Sequence, residues 1–265
     1  MIIPLHIIKI GGNVIDNKDL LNQFANDFAS VDGLKILVHG GGKLASELSS
    51  KMGIAPQMVD GRRITDADTL DIVTMVYAGL INKKVVALLQ SKNCNAIGLT
   101  GADGNIIPAH KRAVGQIDYG FVGDIDSGSL KSETLKDILK LGLVPIIAPI
   151  THDGKGQLLN TNADTIASAL AVSLSRHFTV NLVYCFERDG VMRDLNNSGS
   201  LIPHINQKEY LSLKEEGVIN KGMIPKMDNS FEAINKGVNS VWIGHAENLK
   251  NMIEGKENAG SKLSK

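Results

Sequence analysis

Two lysines stand where predicted elements end or begin next to glycines. Lys9 closes an apolar run over residues 5–10, and Lys226 follows Pro225 at a predicted helix start. Ligands bind beyond the carboxyl ends of strands in open α/β sheets, so we expect the Lys9 ammonium at such an edge. An ammonium at a helix N-terminus opposes the helix dipole, so Lys226 indicates a bound anion. A solvated surface lysine is the alternative at both positions.

Glycine-rich turns follow three predicted strands and are typical of anion sites. They are Lys9-Ile10-Gly11-Gly12, His39-Gly40-Gly41-Gly42 and the stretch 98–104. Glycine has no Cβ, so backbone N–H groups can approach a phosphate or carboxylate, and a helix starting there adds its positive end. Each turn alone is as readily an ordinary strand-to-helix connection. Two of them on the first two strands favour a binding site.

Two nucleotide-binding motifs can be compared with the second turn. A Walker A loop requires glycine at the position of Leu37 and Ser or Thr at the position of Leu44, so it is excluded. The run Gly40–Ala45 fits the dinucleotide pattern G-x-G-x-x-A, with Asp60 near the acidic position, although it follows the second strand rather than the first. An NAD-binding oxidoreductase is therefore the alternative prediction.

Polar residues also precede an apolar helix in Asn160-Thr161-Asn162-Ala163-Asp164. Either Asn162 or Asp164 would suffice as a helix cap, so three polar side chains at alternate positions indicate that some face a ligand. Arg63, within Gly61-Arg62-Arg63-Ile64-Thr65, has the geometry to bind a carboxylate through two hydrogen bonds. A surface arginine is the alternative.

The elements that must position these residues alternate along the chain. Strands are predicted at 5–10, 34–38, 95–99, 144–147, 180–184 and 240–243, and helices at 20–29, 44–52, 66–89, 131–141, 163–174 and 227–236. The pattern predicts an α/β fold, with an open, mainly parallel sheet sandwiched between helices. Short hairpins are predicted between residues 101 and 128, a capping box at Thr65–Asp68, and a frayed tail over 254–265.

Composition excludes several classes of protein. Lys+Arg and Asp+Glu are both 28 in 265 residues, so the basic excess typical of nucleic-acid and membrane-surface binding is missing. Cys94 and Cys185 lie far apart, which argues against a disulfide framework or zinc site and predicts a cytoplasmic protein. The apolar start, residues 1–10, is interpreted as a buried strand rather than a signal peptide, and no membrane span is predicted.

Taken in order, these motifs resemble those of the amino acid kinase family. Two further motifs belong to the same resemblance, Gly120-Phe121-Val122-Gly123 and Gly222-Met223-Ile224-Pro225-Lys226. The resemblance runs from Lys9 to about His245, and within the family it is to the kinases of N-acylated glutamate. It implies two lobes in one domain of residues 1–265. Residues 1–178 would bind the acylglutamate and dimerise, and residues 179–265 would bind ATP.

The resemblance also implies roles for individual residues. The resemblance implies that Lys9, Lys226 and Asp164 act in phosphoryl transfer, with Asp164 orienting both lysines. Substrate contacts are given to Gly41, Gly42, Arg63 and Asn160, and nucleotide contacts to Gly11, Gly12, Glu187 and Gly190. The chain departs from the family pattern at Phe186, where a hydroxyl residue is usual, and at Lys221, where glycine or an acid often stands.

The implied reaction is ATP-dependent phosphorylation of the γ-carboxylate of N-acetyl-L-glutamate, or of N-succinyl-L-glutamate, in arginine biosynthesis. A glutamate carboxylate has a pKa near 4.3 and is ionised at neutral pH, so no general base is required. The protein must align two anions and neutralise charge, with Mg²⁺ bridging the nucleotide phosphates and no metal site of its own. The family further implies a homodimer through the 66–89 helix. Only eight residues precede Lys9, so strong inhibition by arginine is not expected.

Overall fold

The structure is a computed structural model, and it describes residues 4–59, 61–126, 128–194, 197–219 and 223–265. Several residues that entered the sequence predictions lie outside the described residues: 1–3 of the apolar start, Asp60, Lys221 and Gly222.

Fourteen strands occur in the described part of the chain. They are β1 (Pro4–Ile10), β2 (Leu34–His39), β3 (Met58–Val59), β4 (Arg62–Arg63), β5 (Ala96–Leu99), β6 (His110–Lys111), β7 (Gly123–Asp124), β8 (Val144–Ile147), β9 (Ile150–His152), β10 (Leu158–Asn160), β11 (Thr179–Phe186), β12 (His204–Ile205), β13 (Ser240–His245) and β14 (Ser261–Leu263).

The same ranges contain ten α-helices. They are α1 (Gly12–Asp16), α2 (Lys18–Ser30), α3 (Gly42–Lys51), α4 (Ala67–Thr74), α5 (Asn82–Gln90), α6 (Ser132–Lys140), α7 (Ala163–Leu174), α8 (Gln207–Glu215), α9 (Ile224–Asn235) and α10 (Leu249–Ile253). A π-helical segment, Met75–Ile81, joins α4 to α5, so the chain is helical without interruption over Ala67–Gln90. Short 3₁₀ turns lie at Asp103–Asn105, Ser198–Ser200 and Ala246–Asn248.

Eight strands form the main sheet in the order β12-β14-β13-β11-β1-β2-β8-β5. The six from β13 to β5 are parallel, whereas β14 pairs antiparallel with β13 and parallel with β12. The central strand β1 places Lys9 beside Val38 of β2 and Tyr184 of β11. The carboxyl ends of parallel strands meet at one edge, so the turns after β1 and β2 converge there with the end of β11.

The core lies on both faces of this sheet, because successive side chains of a strand point to opposite faces. On β1, Leu5 and Ile7 join the cluster covered by α6, α7, α8 and α9. Ile8 and Ile10 join the opposite cluster, covered by α2, the Ala67–Gln90 helix and α10. By the same alternation Lys9 belongs to the face that α7 covers. The predicted α/β fold with helices on both faces is confirmed.

The predicted elements match the structure closely. All six strands and six helices are present within three residues of their predicted ends, and a short antiparallel hairpin, β6–β7, lies in the predicted region. The helix α8 was not predicted, although Asn206 and Glu209 form a capping box at its start.

Two local predictions were wrong. The tail does not fray, because Ser261–Leu263 pairs with both β13 and β12 and buries Leu263. The cap of the long helix is Asp66, which accepts from the Thr69 N–H, rather than a box built on Thr65.

Among the described residues, one helix is long and apolar enough to cross a membrane. It is Ala67–Gln90, with 24 residues and a mean hydropathy of 1.6 in its most apolar stretch. Its side chains Leu70, Val73, Val76 and Val85 are buried in the core of the protein, so we assign it as a core helix. Its outer side exposes Met75 and Leu80.

Candidate active site

Three charged side chains from separate elements meet at the carboxyl edge of the sheet. The Asp164 carboxylate, in the first turn of α7, lies 2.7 Å from the Nζ of Lys9 on β1. Its other oxygen lies 3.2 Å from the Nζ of Lys226, in the first turn of α9. The side chains are 15%, 29% and 18% exposed for Lys9, Asp164 and Lys226 respectively. Neither lysine is therefore a solvated surface residue.

The local sequence frees Asp164 for this position. The N-cap of α7 is Asn162, whose Oδ1 accepts from the N–H groups of Asp164 and Thr165 at 2.8 and 3.1 Å. Because Asn162 satisfies these first N–H groups, the Asp164 carboxylate is not used as a cap. Pro225 lies in the first turn of α9, where its missing N–H breaks no helical hydrogen bond. It favours a helix start at this point, and Lys226 follows it in the same turn and contacts Asp164.

The charges of this cluster perturb one another. Burial favours a higher pKa for Asp164, but the ammonium groups of Lys9 and Lys226 outweigh it and lower the pKa to about 2. Burial lowers the pKa of Lys226, and the nearby Lys9 acts in the same direction, while Asp164 and Glu187 oppose both. One carboxylate thus faces two ammonium groups, and the cluster carries a net positive charge suited to an incoming anion.

Two aromatic rings complete the surroundings of Lys226, and sequence reasoning did not assign them a role. The Lys226 Nζ lies 4.5 Å from the ring centroid of Tyr184 and 5.8 Å from that of Phe186. The Tyr184 hydroxyl lies 3.5 Å from the Asp164 backbone carbonyl. The available sequence signal was the departure from the family pattern at Phe186.

The glycine turns after β1 and β2 pack against each other beside this cluster. The Gly40 N–H donates to the Ile10 carbonyl at 3.1 Å, and a Cβ on Gly12 would lie 3.8 Å from the Gly42 nitrogen. Gly11 is the N-cap of α1, and Gly41 is the N-cap of α3 with φ of 145°. A Cβ on Gly41 would overlap the Ile81 side chain, so this position requires glycine for both reasons.

A buried histidine supports the second turn. The His39 Nδ1–H donates to the Gly40 carbonyl at 2.9 Å, and its Nε2 accepts from the Asn82 amide at 3.2 Å. Asn82 also donates to the Ile146 carbonyl of β8 at 2.9 Å. His39 is fully buried, and burial lowers its pKa to about 4 despite its bond to Gly40, so it is neutral at pH 7.

Arg63 lies at the other side of this turn and is only 7% exposed, so it is not a surface arginine. Its Nη2 donates to the Gly42 carbonyl at 2.8 Å and to the Ser46 hydroxyl at 2.7 Å. Its Nη1 is buried and has no hydrogen-bond partner among the residues that the structure describes. A buried guanidinium nitrogen without an acceptor destabilises the folded protein. Its position therefore indicates a binding site for an anionic ligand.

Asn160, at the end of β10, is linked to Arg63 through Thr65. The Asn160 side-chain amide donates to the Thr65 hydroxyl at 3.0 Å, and that hydroxyl donates to the Arg63 carbonyl at 3.2 Å. The Asn160 N–H donates to the Phe121 carbonyl at 2.9 Å, which ties it to the Gly120–Gly123 segment. The structure thus links Arg63 directly to the turn at Gly42 and, through Thr65, to Asn160.

The two remaining predicted residues lie beyond β11. Glu187 is exposed, and it borders a polar cavity of about 480 Å³ that is also lined by Asn13, Asn17, His245 and Glu247. Gly190 is buried, with φ of 155°, and a Cβ there would lie 2.7 Å from the Ser261 hydroxyl. Packing against β14 therefore explains the glycine at 190 without a ligand.

The third glycine stretch, 98–104, has a structural explanation. A Cβ on Gly98 would overlap the Asn82 side chain, and one on Gly101 would lie 2.8 Å from the Ile107 carbonyl. Both glycines thus permit close packing. Among the described residues, no three His, Cys, Asp or Glu side chains group as metal ligands.

The chain is similar to known proteins over most of its length. The sequence model of the amino acid kinase family matches residues 4–245. The acetylglutamate kinase of Cytophaga hutchinsonii is 59% identical over 260 residues, covering 98% of both chains. That of Bacteroides fragilis is 55% identical over 239 residues, covering 90% of this chain and 91% of its own.

A solved structure has the same fold at low sequence identity. It is the N-acetylglutamate synthase of Neisseria gonorrhoeae complexed with coenzyme A and N-acetyl-glutamate, which superposes with a TM-score of 0.82 at 22% identity. The match covers 98% of this chain but 59% of the synthase chain, so this chain spans well under two thirds of that protein.

Proposed function

The chain belongs to the amino acid kinase family, and from that premise we propose that it phosphorylates the γ-carboxylate of an N-acylated L-glutamate with ATP. A carboxylate oxygen of the substrate forms a bond to the γ-phosphorus, the bond from that phosphorus to the β,γ-bridging oxygen breaks, and ADP leaves. The products are an acyl phosphate and ADP. The observation that carries this proposal is the Asp164 carboxylate held between the ammonium groups of Lys9 and Lys226.

The lysine cluster fits this reaction because phosphoryl transfer mainly requires positioning and charge neutralisation. Negative charge spreads over the transferring group, and fixed ammonium groups stabilise it best when they need not reorganise. Asp164 holds Lys9 and Lys226 apart on either side of one carboxylate. We assign Lys9 and Lys226 to the transferred phosphoryl group and Asp164 to orienting both.

The acylglutamate side is assigned to Arg63, Asn160, Gly41 and Gly42. The Nη1 of Arg63 has no acceptor within the described part of the chain, and the α-carboxylate of the substrate would supply one. The N-terminus of the ten-residue helix α3, at Gly41 and Gly42, adds N–H donors. Relatives named acetylglutamate kinase favour N-acetyl-L-glutamate, with N-succinyl-L-glutamate as the alternative acyl group.

The nucleotide side is assigned to Gly11, Gly12 and the segment after β11, including Glu187 and Gly190. Strand β11 begins at Thr179, which suits a division into a substrate lobe of residues 1–178 and an ATP lobe of residues 179–265. Gly190 would then contribute through the backbone it shapes rather than by direct approach, because its α-carbon packs against Ser261.

Magnesium fits this site as a partner of the nucleotide rather than of the protein. The Asp164 carboxylate is engaged by two ammonium groups, and the described residues offer no cluster of acidic ligands. Mg²⁺ does not require a cluster of protein ligands, because it retains several water ligands and binds phosphate oxygens of the nucleotide. It would neutralise phosphate charge when bound.

Several wider assignments follow from the same proposal. The kinase would act in arginine biosynthesis, in the cytoplasm and as a homodimer, with no nucleic-acid or membrane partner. Two observations argue against an NAD-dependent oxidoreductase built on the Gly40 turn. The relatives at 55–59% identity are kinases. In addition, Arg63 donates a hydrogen bond to the Gly42 carbonyl of that turn.

The direct test is to trap the acyl phosphate with hydroxylamine. ATP would be supplied with free glutamate, N-acetyl-L-glutamate or N-succinyl-L-glutamate, and hydroxamate measured for each. We expect hydroxamate from an N-acylated glutamate and little from free glutamate, with the reaction lost in Asp164→Asn. If the wild-type protein forms no hydroxamate from any of the three, the proposed function is wrong.

A further inference from the structure

Lys226 lies over two aromatic rings, a contact that the described residues do not provide for Lys9. Its Nζ lies over the ring of Tyr184 at 4.5 Å from the centroid and over that of Phe186 at 5.8 Å. We propose that Tyr184 and Phe186 form an aromatic platform that positions the Lys226 ammonium for phosphoryl transfer and keeps it charged. This inference rests on the proposed function, and it makes both aromatic residues positioning residues that act through Lys226.

The platform is built by strand geometry. Tyr184 and Phe186 are two residues apart on β11, so their side chains point to the same face of the sheet. Tyr184 is opposite Lys9 in the register of β1 and β11, and only 1% of it is exposed. Phe186 ends the strand and packs against the same core cluster. A central strand therefore holds both rings in place while Lys226 reaches them from α9.

Lys226 needs such support because its other interactions leave its charge poorly compensated. It shares one carboxylate, that of Asp164, with Lys9, and it lies at the positive end of the α9 dipole. Burial lowers the pKa of Lys226, and Lys9 adds to that effect. The opposing groups are Asp164 and the more distant Glu187, while the neighbouring Cys185 is buried and un-ionised, since burial strongly raises its pKa.

An aromatic face suits this task better than a second carboxylate would. A carboxylate beside Lys226 would cancel the charge that the phosphoryl group needs, and it would repel the phosphates. The negative face of a ring attracts an ammonium without carrying net charge, and more strongly at a desolvated position. The ring walls also restrict the flexible lysine side chain, which otherwise has many rotamers to lose.

The experiment uses three variants of the full chain in a coupled assay of ADP release. Tyr184→Leu and Phe186→Leu keep an apolar wall but remove the ring face. Tyr184→Phe is the matched control, because it keeps the ring and removes only the hydroxyl that contacts the Asp164 carbonyl. We expect kcat to fall about 3- to 30-fold in each leucine variant and to fall clearly less in Tyr184→Phe than in Tyr184→Leu. KM for the acylglutamate should not change, because Arg63 and Asn160 are untouched.

A second readout does not depend on turnover. Lysines methylated with ¹³C-formaldehyde would be titrated by NMR, with Lys226→Arg identifying the Lys226 signal. Loss of a ring face at unchanged burial removes attraction for the charged form, so the pKa of Lys226 should fall by about half to one and a half pH units. The alkaline limb of the kcat profile should move to lower pH by the same amount.

These measurements separate the platform from the proposed function. Wild-type protein that makes no hydroxamate refutes the function, and the NMR titration still decides whether the rings support Lys226. Unchanged kcat and unchanged titration in Phe186→Leu would overturn the platform while leaving the kinase assignment intact. Phe186 is only partly buried, so this variant decides the question even if Tyr184→Leu fails to fold. A loss in Tyr184→Phe equal to that in Tyr184→Leu would also overturn it, since the hydroxyl would then be responsible.

Discussion

At the scale of single residues, the site is organised around one carboxylate. Asp164 contacts Lys9 at 2.7 Å and Lys226 at 3.2 Å, so the two ammonium groups are held before any substrate arrives. The pKa of Asp164, lowered to about 2, keeps this carboxylate ionised across the neutral range. Because the substrate carboxylate is ionised as well, the chemistry needs positioned charge and no proton transfer.

Removing either ammonium group should therefore lower the rate of the chemical step. We expect Lys9→Ala and Lys226→Ala each to reduce kcat by roughly 10²- to 10³-fold, similar to the loss of a preorganised oxyanion donor. Initial rates of hydroxamate formation at saturating ATP and acylglutamate measure this. Lys236, an exposed lysine at the C-cap of the same helix α9, supplies the control, and Lys236→Ala should retain wild-type kcat. Near-normal kcat in both site variants would refute the assignment.

Arg63 should act on binding rather than on the chemical step. Its contact to the substrate α-carboxylate would exist before and during transfer, so Arg63→Ala should raise KM for the acylglutamate by roughly 10- to 100-fold with a smaller change in kcat. Steady-state kinetics with the acylglutamate as the varied substrate measures this. The adjacent Arg62 is exposed, and Arg62→Ala should behave as wild type. An unchanged KM in Arg63→Ala would mean that its free Nη1 binds no substrate.

At the scale of elements, the β2–α3 turn depends on close packing that only glycine permits. Gly41→Ala combines a φ of 145° with overlap against Ile81, so it should destabilise the fold by about 1–3 kcal/mol and reduce activity. Urea unfolding measures the loss. Gly79→Ala is the control, because nothing lies within 4 Å of its Cβ position, and it should be neutral or slightly stabilising in its helix. Equal stability of the two variants would contradict this view of the turn.

The same turn should make the protein sensitive to mild acid through His39. Its pKa is lowered from 6.5 to about 4 in the fold, so the unfolded chain binds more protons between these values. The stabilising contribution is complete above pH 6.5 and is lost as the pH falls towards 4. The free energy of unfolding should drop by about 2 kcal/mol between pH 7 and pH 5 on account of His39. Urea titrations of wild type and His39→Gln should show a correspondingly flatter pH dependence in the variant. Parallel curves would exclude His39 as the cause.

At the scale of the whole molecule, the Ala67–Gln90 helix both completes the core and presents an apolar outer side. Met75 is 50% exposed and Leu80 is 41% exposed, whereas Val73 and Val76 are buried. We expect a homodimer in solution with this helix in the interface, and light scattering measures the mass directly. Met75→Lys combined with Leu80→Lys should favour the monomer. Leu141→Lys changes an apolar residue that is 75% exposed elsewhere, and it should leave the mass unchanged. A wild-type monomer or hexamer would contradict the expectation.

Local patterns were sufficient for most of the elements, and they pointed to a candidate site. The apolar periodicity placed Val144–Ile147 and Ala163–Leu174 at their observed bounds, because burial of one face imposes that period on the sequence. The glycines at 11, 12, 41 and 42 and the lysines at 9 and 226 pointed to an anion site, since their conformational freedom and charge are intrinsic to each residue. The fold class followed from the alternation of strands and helices.

Only the tertiary structure decided which distant residues meet. The order β12-β14-β13-β11-β1-β2-β8-β5 brings Ser261–Leu263 into the sheet, although its polar surroundings predict fraying. It also places Tyr184 and Phe186 against Lys226. It buries Arg63, whose Nη1 is unpaired among the described residues. These contacts join residues separated by tens of positions, and their free energy depends on strand order and packing. A local periodicity in the sequence contains no record of either.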